Sequence, residues 1–235
     1  EGSTPVLKCF GENGMSLAGV EKAFDISWYQ PGTYSYEIST LKQLYGFYIL
    51  SGGNDFAEHT IKLGADIVVN EGKVANWEKK APQNPWFAIN KFAGMFDGQG
   101  HTIRGIYLKN KMTYQGLFAQ VEPTGIVKNF SLKNSYFCNE GDGKLAMMGS
   151  IAGEFRGKLE NVYSNAIVES SGTQAGGIFG RTNDNDSDGK EDKVLITNCW
   201  FDGELRMKGQ GGRYGGGFVG MVVQGDLDIW TLFTV

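Results

Sequence analysis

The chain has 235 residues, 35 of them glycine, about twice the ordinary share of ~7%. Charged residues are 20% and aromatics 13%, which supports a packed core and excludes a disordered chain. With a net charge of −4 and Lys79-Lys80 the only adjacent basic pair, there is no nucleic-acid footprint; no apolar run reaches the ~20 residues of a membrane span.

Residues 1–24 carry mixed signals and read as a linker or the tail of a preceding module. Residues 25–235 read as one domain. Ile26, Trp28 and Tyr29 ahead of the Pro31-Gly32 turn predict one strand before that turn. Thr40-x-x-Gln43 has capping-box form, and Leu41, Leu44, Tyr45 and Tyr48 follow the spacing of a buried helical face. A helix is expected near residues 40–51, stopped by a left-handed cap at Gly52-Gly53. Thr60-Ile-Lys-Leu63 and Asp66-Ile-Val-Val-Asn70 read as strands of a first coil. Residues 76–86 form a polar loop carrying Trp77, Lys79, Lys80 and Trp86.

From Phe92-Ala-Gly-Met-Phe-Asp-Gly-Gln-Gly-His-Thr-Ile-Arg-Gly-Ile-Tyr-Leu108 onward a phrase recurs. Gln115-Gly-Leu-Phe-Ala119 is followed by Gly149-Ser-Ile-Ala-Gly153, Gly176-Gly-Ile-Phe-Gly180 and Gly216-Gly-Phe-Val-Gly220. A second phrase trails three of them: Val127-Lys-Asn129, Leu159-Glu-Asn161 and Ile196-Thr-Asn198. Units of roughly 20–50 residues with strand-like content cannot bury their own apolar side chains, so they stack. Leu117, Ile151, Ile178 and Phe218 are expected to form one inward column. The asparagines are expected to stack at equivalent turns, and the Gly-x-Gly frames to supply positive φ at corners. In the last repeat Ile229 falls where asparagine is expected. The end of the chain, residues 228–235, is strand-like with no stop signal, so the chain is expected to be a piece of a longer protein.

The run from Phe92 to Leu108 with its Gly-Leu-Phe and Gly-Gly-Ile successors resembles the GLUG repeat of large bacterial surface proteins, as found upstream of IgA-specific metallopeptidase domains. The resemblance covers about residues 38–224. It implies a right-handed parallel β-helix in a secreted or wall-associated protein, adhesive or spacing in role, and it brings no catalytic residues. The expected fold is therefore all-β, a right-handed parallel β-helix (solenoid) with an N-terminal capping helix.

Chemistry-bearing patterns are sparse. Glycosidic hydrolysis needs two carboxylates across one bond, and no strand offers a paired Asp-Asp or Asn-x-Asp. Asp97-Gly98-Gln99-Gly100-His101 resembles the opening phrase of polygalacturonase-like enzymes, where it is mostly structural. His59 and His101 lack metal-ligand spacing. Cys9, Cys138 and Cys199 are odd in number, and buried free thiols are favoured over a disulfide. Among the aromatics, Trp77 and Trp86 are the candidate ligand-binding residues, Trp77 as the better surface position. Tyr107, Tyr114, Tyr136 and Tyr163 would extend a stacking strip, but β-helix core or ladder is the favoured reading for these tyrosines.

Asp184-Asn-Asp186-Ser-Asp188-Gly189 has the alternating carboxylates and turn glycine of a calcium loop, with Lys190 adding a carbonyl and Asp192 at the ninth position. Leu195 stands where a bidentate Glu belongs, so a weak Ca2+ site is expected, the alternative being a solvated acidic loop. The function expected is a non-catalytic extracellular module of a larger bacterial surface protein. Its partners would be host or microbial glycans or surface proteins, and neighbouring domains of the same chain. A carbohydrate-active β-helix, lyase or hydrolase, is the alternative.

Overall fold

The computed structural model describes residues 24–141, 145–183, 193–208 and 214–223, and the backbone of 226–234. β1 (Ser35–Ile38) leads into α1 (Leu41–Leu50), followed by β2 (Thr60–Leu63), β3 (Ile67–Val68) and β4 (Ile89–Phe92). The chain then winds in four-sided coils. β5 (Met95–Asp97) and β6 (Thr102–Arg104) share the first side; β7 (Tyr107–Asn110), β8 (Tyr114–Gln115) and β9 (Phe118–Val121) form the others. The next circuit is β10 (Ile126–Lys133), β11 (Tyr136–Asn139), β12 (Met147–Met148) and β13 (Ala152–Phe155). It is followed by β14 (Lys158–Ser164), β15 (Ile167–Ser170), β16 (Gln174–Gly176) and β17 (Phe179–Thr182). The last circuit is β18 (Lys193–Phe201), β19 (Glu204–Met207), β20 (Tyr214–Gly216) and β21 (Val219–Val222), and β22 (Asp226–Thr234) opens another.

Like strands stack into four sheets, and every described pairing is parallel. The first sheet runs β1-β2-β5-β10-β14-β18-β22, the second β7-β11-β15-β19, the third β8-β12-β16-β20, and the fourth β4-β9-β13-β17-β21. This is an all-β parallel solenoid. A single coil would leave its apolar side chains against water; stacking buries them against their equivalents, each worth about 1.5–3 kcal/mol when fully buried. Tyr36, Ile61, Phe96, Val127, Leu159 and Ile196 lie in register down the first sheet, none more than 4% exposed. Leu117, Ile151, Ile178 and Phe218 form the expected inward column, all buried. Their backbones are joined: Ile178 N–H donates to Phe218 O and Ile151 N–H to Ile178 O.

The glycines of the repeat act by a different route from the one expected. None of those in the four Gly-rich phrases has positive φ. A Cβ at Gly149 would lie 2.2 Å from Phe179 Cα in the next coil, so these glycines are where neighbouring backbones meet. The left-handed turns of these repeats belong instead to Asn129, Asn161 and Asn198, at φ of 57°, 54° and 52°, while in the opening Asp97-to-Gly105 run Gly100 and Gly105 are left-handed as expected. Asparagine tolerates that region because its short amide can bond locally. The register sets Cys199 against Leu232 and Thr197 against Trp230, so Thr231, not Ile229, stands opposite Asn198.

At the N-terminal side three details depart from the sequence expectation. The strand lies after the Pro31-Gly32 turn, not before it, and β1 already pairs in parallel with β2. The helix is capped by Thr40, whose hydroxyl accepts from Gln43 N–H, while Gln43 Oε1 accepts from Ser39 N–H. Its end closes on Ser51 with Gly52 N–H to Ile49 O, and neither following glycine is left-handed. Its buried residues are Leu44, Gly46, Phe47 and Ile49, with Leu41, Tyr45 and Tyr48 only partly covered. Phe47 meets Phe56, Phe92, Phe96 and Phe118 at ring-centroid distances of 5.0–6.3 Å, so the helix packs on the apolar interior. Gly46 is required because a Cβ there would sit 2.0 Å from Asp25 O.

Because the asparagines carry a backbone conformation as well as an amide, their substitution separates the two. Asn161→Ala should lower stability by about 1–2 kcal/mol through the left-handed φ that alanine resists, whereas Asn161→Gly should stay nearer wild type. Equal losses in the two denaturant midpoints would remove the backbone from the explanation.

Candidate functional site

The outer face of the first sheet carries the most ordered surface chemistry. Asn198 Nδ2 donates to Asn161 Oδ1 at 3.2 Å, Asn161 Nδ2 to Asn129 Oδ1 at 2.8 Å, and Asn129 Nδ2 to Asp97 Oδ1 at 3.1 Å. The amides thus point one way and end on a carboxylate, and hydrogen bonds aligned in a chain polarise one another. Burial would raise the Asp97 carboxyl, but the Gln99 N–H, the Asn129 amide and Lys128 outweigh it and hold it below the usual carboxylate value. Phrase Asp97 to His101 is therefore the foot of this ladder. His101 itself leans to Asp66, 3.2 Å away.

Beside the ladder, two residues further along each strand, lie Ser131, Tyr163 and Trp200 in register. They face outward because the left-handed asparagine adds a residue to the outer side and shifts the alternation. In β18, Val194 and Ile196 point in before Asn198, and Cys199 and Phe201 point in after it. Trp200 is left 42% exposed, its ring edge-on to Tyr163 at 6.3 Å and 72°. Lys133 Nζ sits 5.7 Å from the centre of the Tyr163 ring, and the Tyr163 hydroxyl donates to Asp202 at 3.2 Å. Ladder and aromatics enclose a shallow groove of about 420 Å³.

The second sheet presents its outer face to the loop of residues 71–87. Tyr107 and Tyr136 stack there, and Trp77 packs edge-on to Tyr107 at 6.2 Å, with Cys138 beside them. Next to Trp77, Glu78 reaches Arg206, 3.5 Å away, and Lys208, 2.9 Å away. Both cations also flank Glu169, whose side chain is 5% exposed; Lys208 Nζ is 2.6 Å from its Oε1. The loop is thereby tied across the sheet from the first coil to β19. It also encloses a hollow of about 700 Å³, rimmed by Asn70, Glu71, Trp77 and Lys80. Burial pushes the Cys138 thiol up to about 11 and the Cys199 thiol up to about 12, so both are neutral and unreactive at pH 7. Neither is in a disulfide.

Trp77 does not hold the surface position expected of it. It is 4% exposed because it fills the apolar gap under its own loop. Trp86 is 1% exposed; its backbone N–H donates to Tyr107 O and its ring lies 5.7 Å from Tyr45, which makes it core. Tyr107 and Tyr136 are buried with Trp77, and Tyr114 pairs with Arg181. Of the expected aromatic strip, Tyr163 reaches the groove, joined by Trp200, which strict alternation from Ile196 would have placed inside. The calcium loop of Asp184, Asp186, Asp188, Lys190 and Asp192 lies outside the described residues. Among the described residues no cluster of three His, Cys, Asp or Glu is placed to hold a metal, and no helix is long and apolar enough to cross a membrane.

No family model matches the chain, and no solved structure does. Halomucin of Haloquadratum walsbyi is 26% identical over 152 residues, covering 63% of this chain and 2% of its own length. A protein of Evansella cellulosilytica described as a Gly-rich membrane protein is 34% identical over 74 residues, covering 31% of this chain and 8% of its own. The chain thus spans a small fraction of the relatives it matches.

Removing the Trp77 ring tests the strap over the second sheet. In a Cys9→Ser background, the folded chain should give no thiol reaction with an aromatic disulfide reagent at pH 8. Trp77→Ala should cost about 3–5 kcal/mol, as loss of a buried aromatic does, and open Cys138 but not Cys199 to the reagent. Continued silence of Cys138 would mean that the loop stays down without its tryptophan.

Proposed function

We propose that the chain is a non-catalytic extracellular module of a much longer bacterial cell-surface protein, a right-handed β-helix acting as spacer and adhesive surface. The right hand is what the resemblance to the GLUG repeat implies, and α1 is read as the cap of the first coil. The observation that carries this reading is the unbroken coil-to-coil register, in which side chains are committed to ladders rather than gathered around a reacting bond. Among the described residues, its buried glutamates and the half-buried Glu122 each face a cation: Glu154 meets Arg181 and also Gln120, Glu122 meets Arg156, and Glu169 meets Arg206 and Lys208. The groove beside the ladder and the hollow under the loop contain at most one carboxylate each, against the two that glycosidic hydrolysis needs. A relative named halomucin and another named as a membrane protein, both several times longer or more, fit a place in a large surface protein.

Antibodies to this chain should label intact cells that make the parent protein; labelling only after lysis would reject the surface assignment. Incubated with neutral and acidic polysaccharides, the chain should release no reducing ends and no unsaturated sugar absorbance. Turnover above buffer would instead favour the carbohydrate-active alternative.

The acidic sequence from Asp184 to Asp192 is proposed as a weak calcium site, of the ~0.1–1 mM kind found in extracellular modules. Calorimetric titration should show binding to wild type that Asp186→Ala abolishes. Identical featureless titrations would leave a solvated loop.

A further inference from the structure

The groove beside the asparagine ladder has a chemistry more specific than the adhesive role requires. Each coil contributes an amide and, next to it, Ser131, Tyr163 or Trp200. Asn161 spends one N–H and one lone pair on its neighbours in the ladder. A carboxamide has two of each, so one donor and one acceptor remain for a ligand. They recur at the inter-strand spacing of about 4.8 Å, close to the length of one pyranose unit. The aromatic partners add flat apolar faces ended by polar tips, suited to surfaces that are part apolar and part hydroxylated. No lining residue is charged. The nearest charges, Lys133 over the Tyr163 ring and Asp202 at its hydroxyl, are of opposite sign.

We propose that this groove binds a neutral polysaccharide laid along the solenoid axis, with Trp200 and Tyr163 against sugar rings and the exposed amides of Asn161 and Asn198 bonding hydroxyls. The absence of lining charge disfavours uronic-acid polymers. The nine residues that line the groove are also few beside the roughly 20–30 a side of a standard protein interface. The proposal rests on the surface-module reading and names its ligand class.

The test is electrophoresis of the 235-residue chain through native gels containing hydroxyethyl cellulose, galactomannan or mannan, with alginate and polygalacturonate gels as the acidic set. Wild type should be retarded in at least one neutral gel and run unhindered in the acidic ones. Trp200→Ala, at an exposed position, should keep the wild-type unfolding midpoint and weaken retardation about tenfold or more, as loss of a central aromatic anchor does. Asn161→Gly, which keeps the left-handed turn and deletes the amide, should weaken it as well. No retardation in any neutral gel, retardation unchanged by Trp200→Ala, or retardation confined to acidic gels would each overturn the proposal. So would a wild-type dimer in sedimentation that Trp200→Ala dissociates, since the groove would then hold a second copy of the chain. These outcomes leave the surface assignment standing, because labelling of intact cells decides that separately.

Discussion

Backbone hydrogen bonds between successive coils set a spacing of about 4.8 Å, and the composition answers to it. Where two coils bring backbone against backbone, a side chain has no room, and the glycines of the repeat stand at those meeting points, as Gly149 does against Phe179. Where side chains face inward, the same spacing demands that each layer present something of similar bulk. Hence Leu117 over Ile151 over Ile178 over Phe218. A substitution that enlarges one layer is felt by two neighbours, because interiors pack without spare volume.

The same spacing governs the exterior. Equivalent residues of adjacent coils lie within hydrogen-bond reach, so one asparagine per coil makes a continuous row of amides. The left-handed backbone of each asparagine also reverses the inside–outside order of the residues after it. One residue type therefore does two things: it ties the coils along the surface, and it decides that Tyr163 and Trp200 face water while Val162 and Cys199 face the core.

Repetition made most of the fold legible. The inward column and the stacked asparagines follow from spacing alone, because only stacking buries units so small. What escaped was whatever depended on a contact between segments distant in sequence. Phe47 faces the core because the first coils surround it, although Tyr45 and Tyr48 share the helical period. Trp77 stands in a polar loop, and nothing local reveals that Tyr107 and Tyr136, from two later coils, wait beneath it. Trp200 was hidden for a different reason: strand alternation holds only while φ stays extended, and Asn198 resets the count. An asparagine recurring at one place in three successive repeats is the signal that the parity changes there.

In a solenoid each coil holds only its neighbours, so such a molecule frays from its ends. The loop over the second sheet alters that. Glu78 belongs to the loop of the first coil, while Arg206 and Lys208 lie on β19 or just after it, three strand spacings or about 14 Å from β7 at the other edge of the second sheet. Exposed ion pairs of this kind are individually weak, but the buried Trp77 fixes the loop from which Glu78 reaches. Under tension, such a tie makes peeling of the β19 coil pull against the first, so the strap must release before that coil can leave. Strands β7, β11, β15 and β19 would then part together rather than one at a time.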